Sequence, residues 1–155
     1  MKQKIFLATD HAGFQLKEEI KEYLKGLRID VEDCGAYKLD PDDDFPNFIA
    51  KAAKKVAENK NSMGIIFGGS GQGEAIVANK IKGIRAAVYN GNNLENVRLS
   101  RIHNDANVLS LGARFLSRKE AMEAVKIWLE TSFSKEKRHK RRINQIKAIE
   151  KSVYK

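Results

Sequence analysis

Short apolar runs alternate with amphipathic stretches along most of the chain. Residues 5–8 form a continuous apolar run, which is typical of a buried parallel strand that contacts helices on both faces, and the mainly apolar stretches 63–67 and 108–111 predict two further strands. Residues 29–34 alternate between apolar and polar positions, which predicts a strand nearer the edge of a sheet. Residues 85–88 form a further short, mainly apolar stretch. The pattern therefore predicts about five strands.

Apolar residues at helical spacing fill the segments between and after these strands. Helices are predicted over residues 14–24, 48–56, 74–81, 94–100, 117–129 and, after a cap at Ser134, 135–155. Ser117 lies three residues before Glu120, a capping-box pattern that marks a helix start. In the first helix, Lys17 is expected on the solvent face. The alternation predicts one α/β domain over residues 1–155, a doubly wound, Rossmann-like parallel sheet with helices on both faces.

The last predicted helix, residues 135–155, differs from the others because no strand follows it. Its apolar stripe contains Ile143, Ile146 and Ile149, and a completed sheet offers these side chains no place. We therefore expect a neighbouring subunit to bury them, in a homodimer or a tetramer.

A glycine-rich segment stands at the centre of the chain. A short apolar run ends at Phe67, four glycines follow between Gly68 and Gly73, and a helical stretch then begins with Glu74. In this order of strand, loop and helix N-terminus, backbone N–H groups can approach an anion or a developing oxyanion. Glu74 is either a general base beside the loop or only a favourable acid in the first helical turn.

The loop matches neither of two better-known phosphate-binding loops. The loop of nucleotide hydrolases requires a lysine directly after its last glycine, whereas Glu74 follows Gly73. The dinucleotide fingerprint requires a third glycine where Glu74 stands, and an acid there would repel a pyrophosphate. The loop is therefore expected to bind something smaller than a nucleotide.

Length and composition narrow the class of protein. The chain has 155 residues, enough for one domain with a sizeable core, and no apolar run approaches the roughly 20 residues of a membrane helix. The single cysteine, Cys34, excludes an internal disulfide and a cysteine-cluster metal site, and we expect it to be a buried small hydrophobe. A cytoplasmic protein is expected.

The net charge of +9 is concentrated near the end of the chain, where residues 135–155 carry nine lysines and arginines. This stretch could bind nucleic acid, form a solvated helix face or hold a small phosphorylated ligand. Arg138 and Arg142 are four apart and share one helix face, where two guanidinium groups suit a phosphate dianion. His139, in the same run, is expected to be solvated.

Two other histidines stand near predicted strands. Asp10 and His11 follow the first strand, so they should leave the same edge of the sheet as the glycine loop. His103 and Asn104 lie in a polar break before the last strand. An imidazole can exchange a proton near neutral pH, and an amide can donate to an oxyanion. Each histidine could equally be a structural hydrogen-bonding group, and the polar break could be no more than a turn.

Taken in order, these residues resemble the B-type ribose 5-phosphate isomerases, the family that also contains the galactose 6-phosphate isomerase subunits. The resemblance covers essentially the whole chain and rests on an ordered set of motifs. They are Thr9-Asp10-His11-Ala12-Gly13, Asp33-Cys34-Gly35, Asp44-Phe45-Pro46, Gly68 to Glu74, Ala78-Asn79-Lys80, Ser100 to Ala106, Leu111-Gly112-Ala113-Arg114, and Arg138-His139-x-x-Arg142.

The resemblance implies an aldose–ketose isomerase of small sugar phosphates that works as a dimer with shared active sites, without a metal or other cofactor. By the same resemblance, Asp10 and His11 help to bind the substrate, and His103 assists opening of the furanose ring. The phosphate is expected to contact Arg138, Arg142, His11 and Arg114. The enediolate oxygens are expected to contact Asn104 and the loop residues Gly69, Ser70, Gly71, Gln72 and Gly73.

The sequence departs from many family members at one position that matters. Where they carry a catalytic cysteine, this chain has Gly68, and it matches a branch that has a glutamate at the end of the loop, here Glu74. Cys34 lies on a different predicted strand and is no substitute. Many family members have a tyrosine where this chain has Phe45. Whether residue 45 contacts the substrate is therefore left open.

The leading hypothesis is therefore interconversion of ribose 5-phosphate and ribulose 5-phosphate with Glu74 as the base. A six-carbon aldose 6-phosphate is an alternative substrate within the same reaction class. The rival hypothesis is a binding module with its basic helix on nucleic acid, but that helix has few aromatic residues for base stacking. We expect a sugar phosphate and a second subunit as partners, and neither nucleic acid nor a membrane.

Overall fold

The computed structural model describes residues 3–154, and the chain ends Met1, Lys2 and Lys155 lie outside this range. The five strands are β1 Lys4–Thr9, β2 Asp30–Asp33, β3 Ser62–Gly68, β4 Ala86–Tyr89 and β5 Val108–Gly112. The six α-helices are α1 Phe14–Gly26, α2 Phe45–Glu58, α3 Gln72–Ala78, α4 Glu95–Asn104, α5 Arg118–Glu130 and α6 Lys137–Val153. A short 3₁₀ helix, His11–Gly13, precedes α1.

All five strands are parallel and form one sheet in the order β2-β1-β3-β5-β4. The predicted fold class is thus confirmed, with β2 at an edge and β3 at the centre. Thr9 pairs with Phe67 and Gly68 pairs with Gly112, so β1, β3 and β5 end at the same level. Because the strands are parallel, the segments that follow them meet at one edge of the sheet.

The two faces of the sheet bury two separate apolar clusters. One cluster joins β-strand residues to α1, α4 and α5, and the indole of Trp128 on α5 is fully buried in it. The other packs α2 and α3 against the opposite face and contains the buried Cys34, as predicted. The buried strand side chains alternate between the two clusters, with Ile5 and Leu7 in the first and Phe6 and Ala8 in the second. Because successive side chains of a strand point to opposite faces, a fully buried strand contributes apolar residues to both clusters.

Helix α5 begins as the sequence predicts. The Ser117 hydroxyl accepts a hydrogen bond from the Glu120 N–H at 3.1 Å, and the Glu120 carboxylate accepts one from the Ser117 N–H at 2.7 Å. This capping box satisfies two backbone donors that the helix itself leaves unpaired.

The last turn of α4 corrects one prediction. The helix continues to Asn104, so His103 and Asn104 lie on the helix and not in a break after it. It ends at Asp105, whose backbone takes the left-handed conformation with φ +45°. Arg85 and Arg101 donate to carbonyls of residues 104–106, and such donors stabilise the last turn of a helix.

Helix α6 corrects two more predictions. It begins at Lys137 after Glu136, and Ser134 does not cap it. The Ser134 hydroxyl instead lies 2.6 Å from Nδ1 of His139, which is buried and not solvated. The sequence could not show this, because the loop before α6 folds back onto the end of α4.

The apolar stripe of α6 is only partly covered. Ile143 is buried, whereas Ile146 is 46% and Ile149 is 64% exposed. Within residues 3–154 no element covers the second half of the stripe, so its burial by a neighbouring subunit stays a prediction.

Lys17 is fully buried, although its position predicts a solvent-facing residue. Its Nζ donates to both carboxylate oxygens of Asp33, at 2.8 and 2.7 Å, and to the Ala36 carbonyl at 2.6 Å. Burial raises the pKa of Asp33, but the hydrogen bonds from Lys17 and Lys21 outweigh it and hold the pKa below its usual value. These bonds fasten α1 to the end of β2.

None of the helices within residues 3–154 is long and apolar enough to cross a membrane.

We expect Lys17→Met to lower the free energy of unfolding by about 3 kcal/mol, because it leaves the partly buried Asp33 carboxylate short of its main partner. Lys25→Met, on the exposed side of the same helix, should cause no measurable loss because its contact with Glu22 is long and solvated. Urea unfolding of both variants tests this, and equal losses would contradict it.

Candidate active site

Residues that follow three strands meet at the carboxyl edge of the sheet. Asp10 and His11 follow β1, the loop of Gly69, Ser70, Gly71, Gln72 and Gly73 follows β3, and Arg114 follows β5. The predicted meeting of Asp10 and His11 with the glycine loop at this edge is therefore observed, and Glu74 lies beside them on α3.

The glycine loop is held from behind by its neighbours. The Ser110 hydroxyl donates to the Gly71 carbonyl at 2.6 Å, and the Asn90 side chain donates to the Ser70 carbonyl at 3.2 Å. Gly71 takes the left-handed conformation with φ +79°, and a Cβ on it would lie 3.1 Å from the backbone of Gly112. Within residues 3–154, the N–H groups of Ser70 and Gly71 have no hydrogen-bond acceptor. They are available to a ligand oxygen.

Arg114 and Phe45 border the loop. Nη1 of Arg114 lies 3.1 Å from the place a Cβ on Gly69 would occupy, so the guanidinium group lies over that glycine. The Phe45 ring lies closer still to Gly73, at 2.8 Å from the corresponding point. Glycine at these positions allows both side chains to approach the backbone.

Glu74 is buried, and its carboxyl occupies space that is open only because residue 68 is a glycine. An added Cβ on Gly68 would overlap all three carboxyl atoms of Glu74. Burial raises the pKa of Glu74, its own backbone N–H lowers it, and the nearby Asp10 carboxylate raises it further, so the pKa lies above its usual value. A buried acid with a raised pKa is suited to proton transfer near neutral pH.

His11 is oriented by Asp43, an acid that the sequence analysis did not single out. Oδ1 of Asp43 accepts a hydrogen bond from the His11 N–H at 2.9 Å and lies 2.7 Å from Nδ1 of the ring. This contact raises the pKa of His11, desolvation opposes it, and the net pKa lies above its usual value. The only signal in the sequence is the acidic run at residues 40–44, which gives no reason to prefer Asp43 over its neighbours.

Asp10 is buried, and its Oδ1 accepts a hydrogen bond from the Ala12 N–H at 3.0 Å. Asp10, His11 and Asp43 each offer one atom that could bind a metal ion, and these three atoms lie within 4.8 Å of one another. The short contact between His11 and Asp43 is a hydrogen bond, which already uses one atom of each.

The remaining predicted residues lie at the other edge of the sheet. His103 and Asn104 end α4 just before β5 begins, and Arg85, which precedes β4, donates from Nε to the Asn104 carbonyl at 2.9 Å. The five residues of β5 separate this amino edge from the glycine loop, a distance of about 17 Å. Within one chain, His103 and Asn104 therefore do not meet Glu74.

Arg138 and Arg142 belong to the same distant group, because α6 packs against α4. Both are exposed, and Arg138 donates from Nε to Glu136 at 2.9 Å. The rings of His103 and His139 have centroids 4.6 Å apart. Desolvation lowers the pKa of His139. Glu136 raises this pKa, but the nearby positive charges lower it, and the pKa lies below its usual value.

Comparison with known proteins gives one consistent result. A profile of the ribose/galactose isomerase family matches residues 5–146. Ribose-5-phosphate isomerase B of Mycobacterium tuberculosis is 39% identical over 149 residues, which cover 96% of this chain and 91% of that protein.

Solved structures agree with this. Ribose-5-phosphate isomerase B of Mycoplasma genitalium with bound ribulose 5-phosphate superposes with a TM-score of 0.92 at 39% identity, covering 97% of this chain and 98% of the other. The Clostridium thermocellum enzyme gives a TM-score of 0.91 at 40% identity, covering 97% and 99%.

We expect Gly68→Ala to displace the Glu74 carboxyl and to lower the free energy of unfolding by about 1–3 kcal/mol, because the new methyl group overlaps it. The loss should shrink in a Glu74→Ala background, where the overlapping atoms are gone. Gly26→Ala is the control, since nothing lies within 4 Å of its added Cβ. Equal losses in both backgrounds, measured by urea unfolding, would contradict the overlap.

We expect Glu74→Gln to be more stable than the wild type, with a difference that grows as pH rises from about 4. The raised pKa makes the folded wild type bind more protons than the unfolded chain between the usual and the raised pKa, so its stability falls with rising pH through that window. Glutamine does not titrate. Urea unfolding at several pH values tests this, and parallel stability curves would argue against a raised pKa.

Proposed function

Because the chain belongs to the ribose/galactose isomerase family, we propose that it interconverts D-ribose 5-phosphate and D-ribulose 5-phosphate. The observation that carries this is the buried Glu74 carboxyl, which packs against Gly68 at the start of a glycine loop whose Ser70 and Gly71 N–H groups have no acceptor within residues 3–154. An acid and a set of N–H donors at one point are what proton transfer through a cis-enediolate requires. The Mycoplasma genitalium relative with bound ribulose 5-phosphate supports the choice of substrate.

Glu74 is the base that moves a proton between C2 and C1 in this proposal. The overlap between a Cβ at position 68 and the Glu74 carboxyl supports the glutamate branch of the family. A side chain at position 68, such as the cysteine of other members, and a glutamate in this pose exclude each other. Gly68 is thus the residue that makes room for the base.

The N–H groups of the loop would stabilise the enediolate oxygens, because they lie on a backbone that Ser110 and Asn90 hold in place. Asp10 and His11 would bind the sugar phosphate, and Arg114 would contribute to the phosphate site. Binding of the distant phosphate holds C2 against Glu74.

His103, Asn104, Arg138 and Arg142 would complete this site from a second subunit. They lie at the opposite edge of the sheet and cannot reach Glu74 within one chain. In a homodimer, the amino edge of one subunit would supply ring opening by His103, with help from Asp10 of the other subunit, and further phosphate contacts. A tetramer could be built from two such dimers.

Exposed apolar residues mark the surface for the second subunit. Ile76 on α3, Val88 on the edge strand β4 and Ile149 on α6 are all exposed. A cavity of about 550 Å³ between β4 and α6 is lined by Ile146, Ile149 and neighbouring residues. Burial of this surface would stabilise the dimer, since apolar area removed from water is the main driving force of association.

The reaction needs neither a metal nor another cofactor, because Glu74 and the loop N–H groups supply the proton transfer and the charge stabilisation. The free, buried Cys34 suits a reducing compartment such as the cytoplasm.

We expect the purified protein to convert ribose 5-phosphate to ribulose 5-phosphate in EDTA, and Glu74→Gln to abolish turnover while sugar-phosphate binding stays within a few-fold. The amide keeps the shape of the side chain but cannot accept the proton. A coupled assay and calorimetric binding test both points. Activity only with a six-carbon aldose 6-phosphate would change the substrate, and turnover in the variant would exclude Glu74 as the base.

We expect Glu74→Gln and His103→Asn subunits, each inactive alone, to regain activity when they are mixed and allowed to exchange. In a mixed dimer with shared sites, one site carries both lesions and the other carries none. Mixing either variant with itself is the control. No recovery after exchange, verified by mass spectrometry of the intact dimer, would contradict shared active sites.

A further inference from the structure

A partly buried contact between Asp43 and His11 lies beside the proposed site. Asp43 lies in the loop between β2 and α2, and its side chain is only 7% exposed. Its neighbours Asp42 and Asp44 are exposed. Asp43 thus differs from the acids around it in being buried, and the burial is against His11.

The geometry of this contact determines which ring nitrogen of His11 carries a proton. Oδ1 of Asp43 is 2.9 Å from the backbone N of His11 and 2.7 Å from Nδ1. A carboxylate oxygen can only accept, so Nδ1 must carry a hydrogen. Within residues 3–154, Nε2 of His11 has no hydrogen-bond partner.

The carboxylate itself has one oxygen unused. Oδ1 accepts both hydrogen bonds, whereas Oδ2 is buried without any partner in the described chain. A buried carboxylate oxygen without a hydrogen bond lowers the stability of the fold. A positive charge on the neighbouring group reduces this loss. The arrangement therefore favours an imidazolium ring on His11.

The charged groups around His11 come from three segments. Asp10 follows β1, Asp43 precedes α2 and Arg114 follows β5. The two acids favour the protonated ring and Arg114 opposes it. Asp43 is the acid that is directly bonded to the ring.

We propose that Asp43 is the positioning residue for His11, which it holds with Nδ1–H fixed so that Nε2–H is presented to the phosphate group of the substrate. This inference rests on the proposed function, in which His11 binds the sugar phosphate. In this role Asp43 acts through His11 and not by contact with the substrate. It acts as a carboxylate that orients and charges a histidine.

The first experiment measures His11 directly and needs no activity. The chain has three histidines, so ¹⁵N-histidine NMR can assign His11 by the signal that is lost in His11→Asn. In the wild type, Nδ1 should be protonated and His11 should titrate above the usual pKa of histidine. Asp43→Asn, which keeps the size of the side chain but removes its charge, should lower the titration midpoint. An unchanged midpoint would overturn the proposal.

Asp42→Asn is the matched control, because it removes the same charge from an exposed position in the same loop. It should leave the His11 titration unchanged. An equal shift in both variants would mean that overall charge, and not the contact, sets the state of His11. The same spectra report whether each variant is folded.

The second experiment measures the effect on binding. Asp43→Asn should raise KM for ribose 5-phosphate about tenfold, with kcat changed by less than about twofold, because a charge-assisted hydrogen bond to phosphate is weakened. The imidazolium binds phosphate below its pKa and loses this ability as pH rises through that pKa. The rise of KM with pH should therefore begin at lower pH in the variant than in the wild type.

A double-mutant cycle separates action through His11 from a general effect on the loop. If Asp43 acts through His11, Asp43→Asn should have little further effect on KM in a His11→Asn background. Additive losses would overturn the proposal. If the wild type does not isomerise ribose 5-phosphate, the proposed function fails, and inorganic phosphate serves as the probe. The binding of inorganic phosphate, followed by the His11 signal at several pH values, should weaken in Asp43→Asn and should not change in Asp42→Asn.

Discussion

The space above Gly68 is the constraint on which the proposed chemistry depends. Only hydrogen at position 68 leaves room for the Glu74 carboxyl, which is buried at the end of the central strand. Burial raises the pKa of this carboxyl, which suits the proton transfer that we propose for it. The same burial is unfavourable for the fold whenever the acid ionises. The stability of the domain and the reactivity of its acid thus oppose each other at a single residue.

The parallel sheet explains why Glu74 cannot contact all of the predicted site residues within one chain. All strands point the same way, so segments that follow strands lie about 17 Å from segments that precede them. Glu74 and His11 belong to the first group, while His103 and Arg142 belong to the second. Under the proposed function, one chain presents two halves of a shared site, and a second copy would join them across the exposed apolar residues of α6 and β4. In this arrangement, association would be a condition of catalysis and not only a source of stability.

Two of the three histidines show how strongly the surroundings alter one kind of side chain. His11 is bonded to a carboxylate and its pKa is raised. His139 is buried beside a hydroxyl group and another imidazole, and its pKa is lowered. Both lie close to groups that the proposed reaction uses. The hydrogen bond from the loop residue Asp43 is the main cause for His11, whereas burial is the main cause for His139.

The sequence by itself determined the sheet, the helices on its two faces and the meeting of Asp10, His11 and the glycine loop at one edge. These follow from local periodicity and from the rule that parallel strands end together, which need no knowledge of side-chain contacts. The motifs also identified the family. Only the tertiary structure decided that Lys17 and His139 are buried, that Asp43 and not Asp42 holds His11, and that Gly68 makes room for Glu74. Each of these depends on how one side chain lies against another in three dimensions, and a one-dimensional pattern of polar and apolar positions does not contain such contacts.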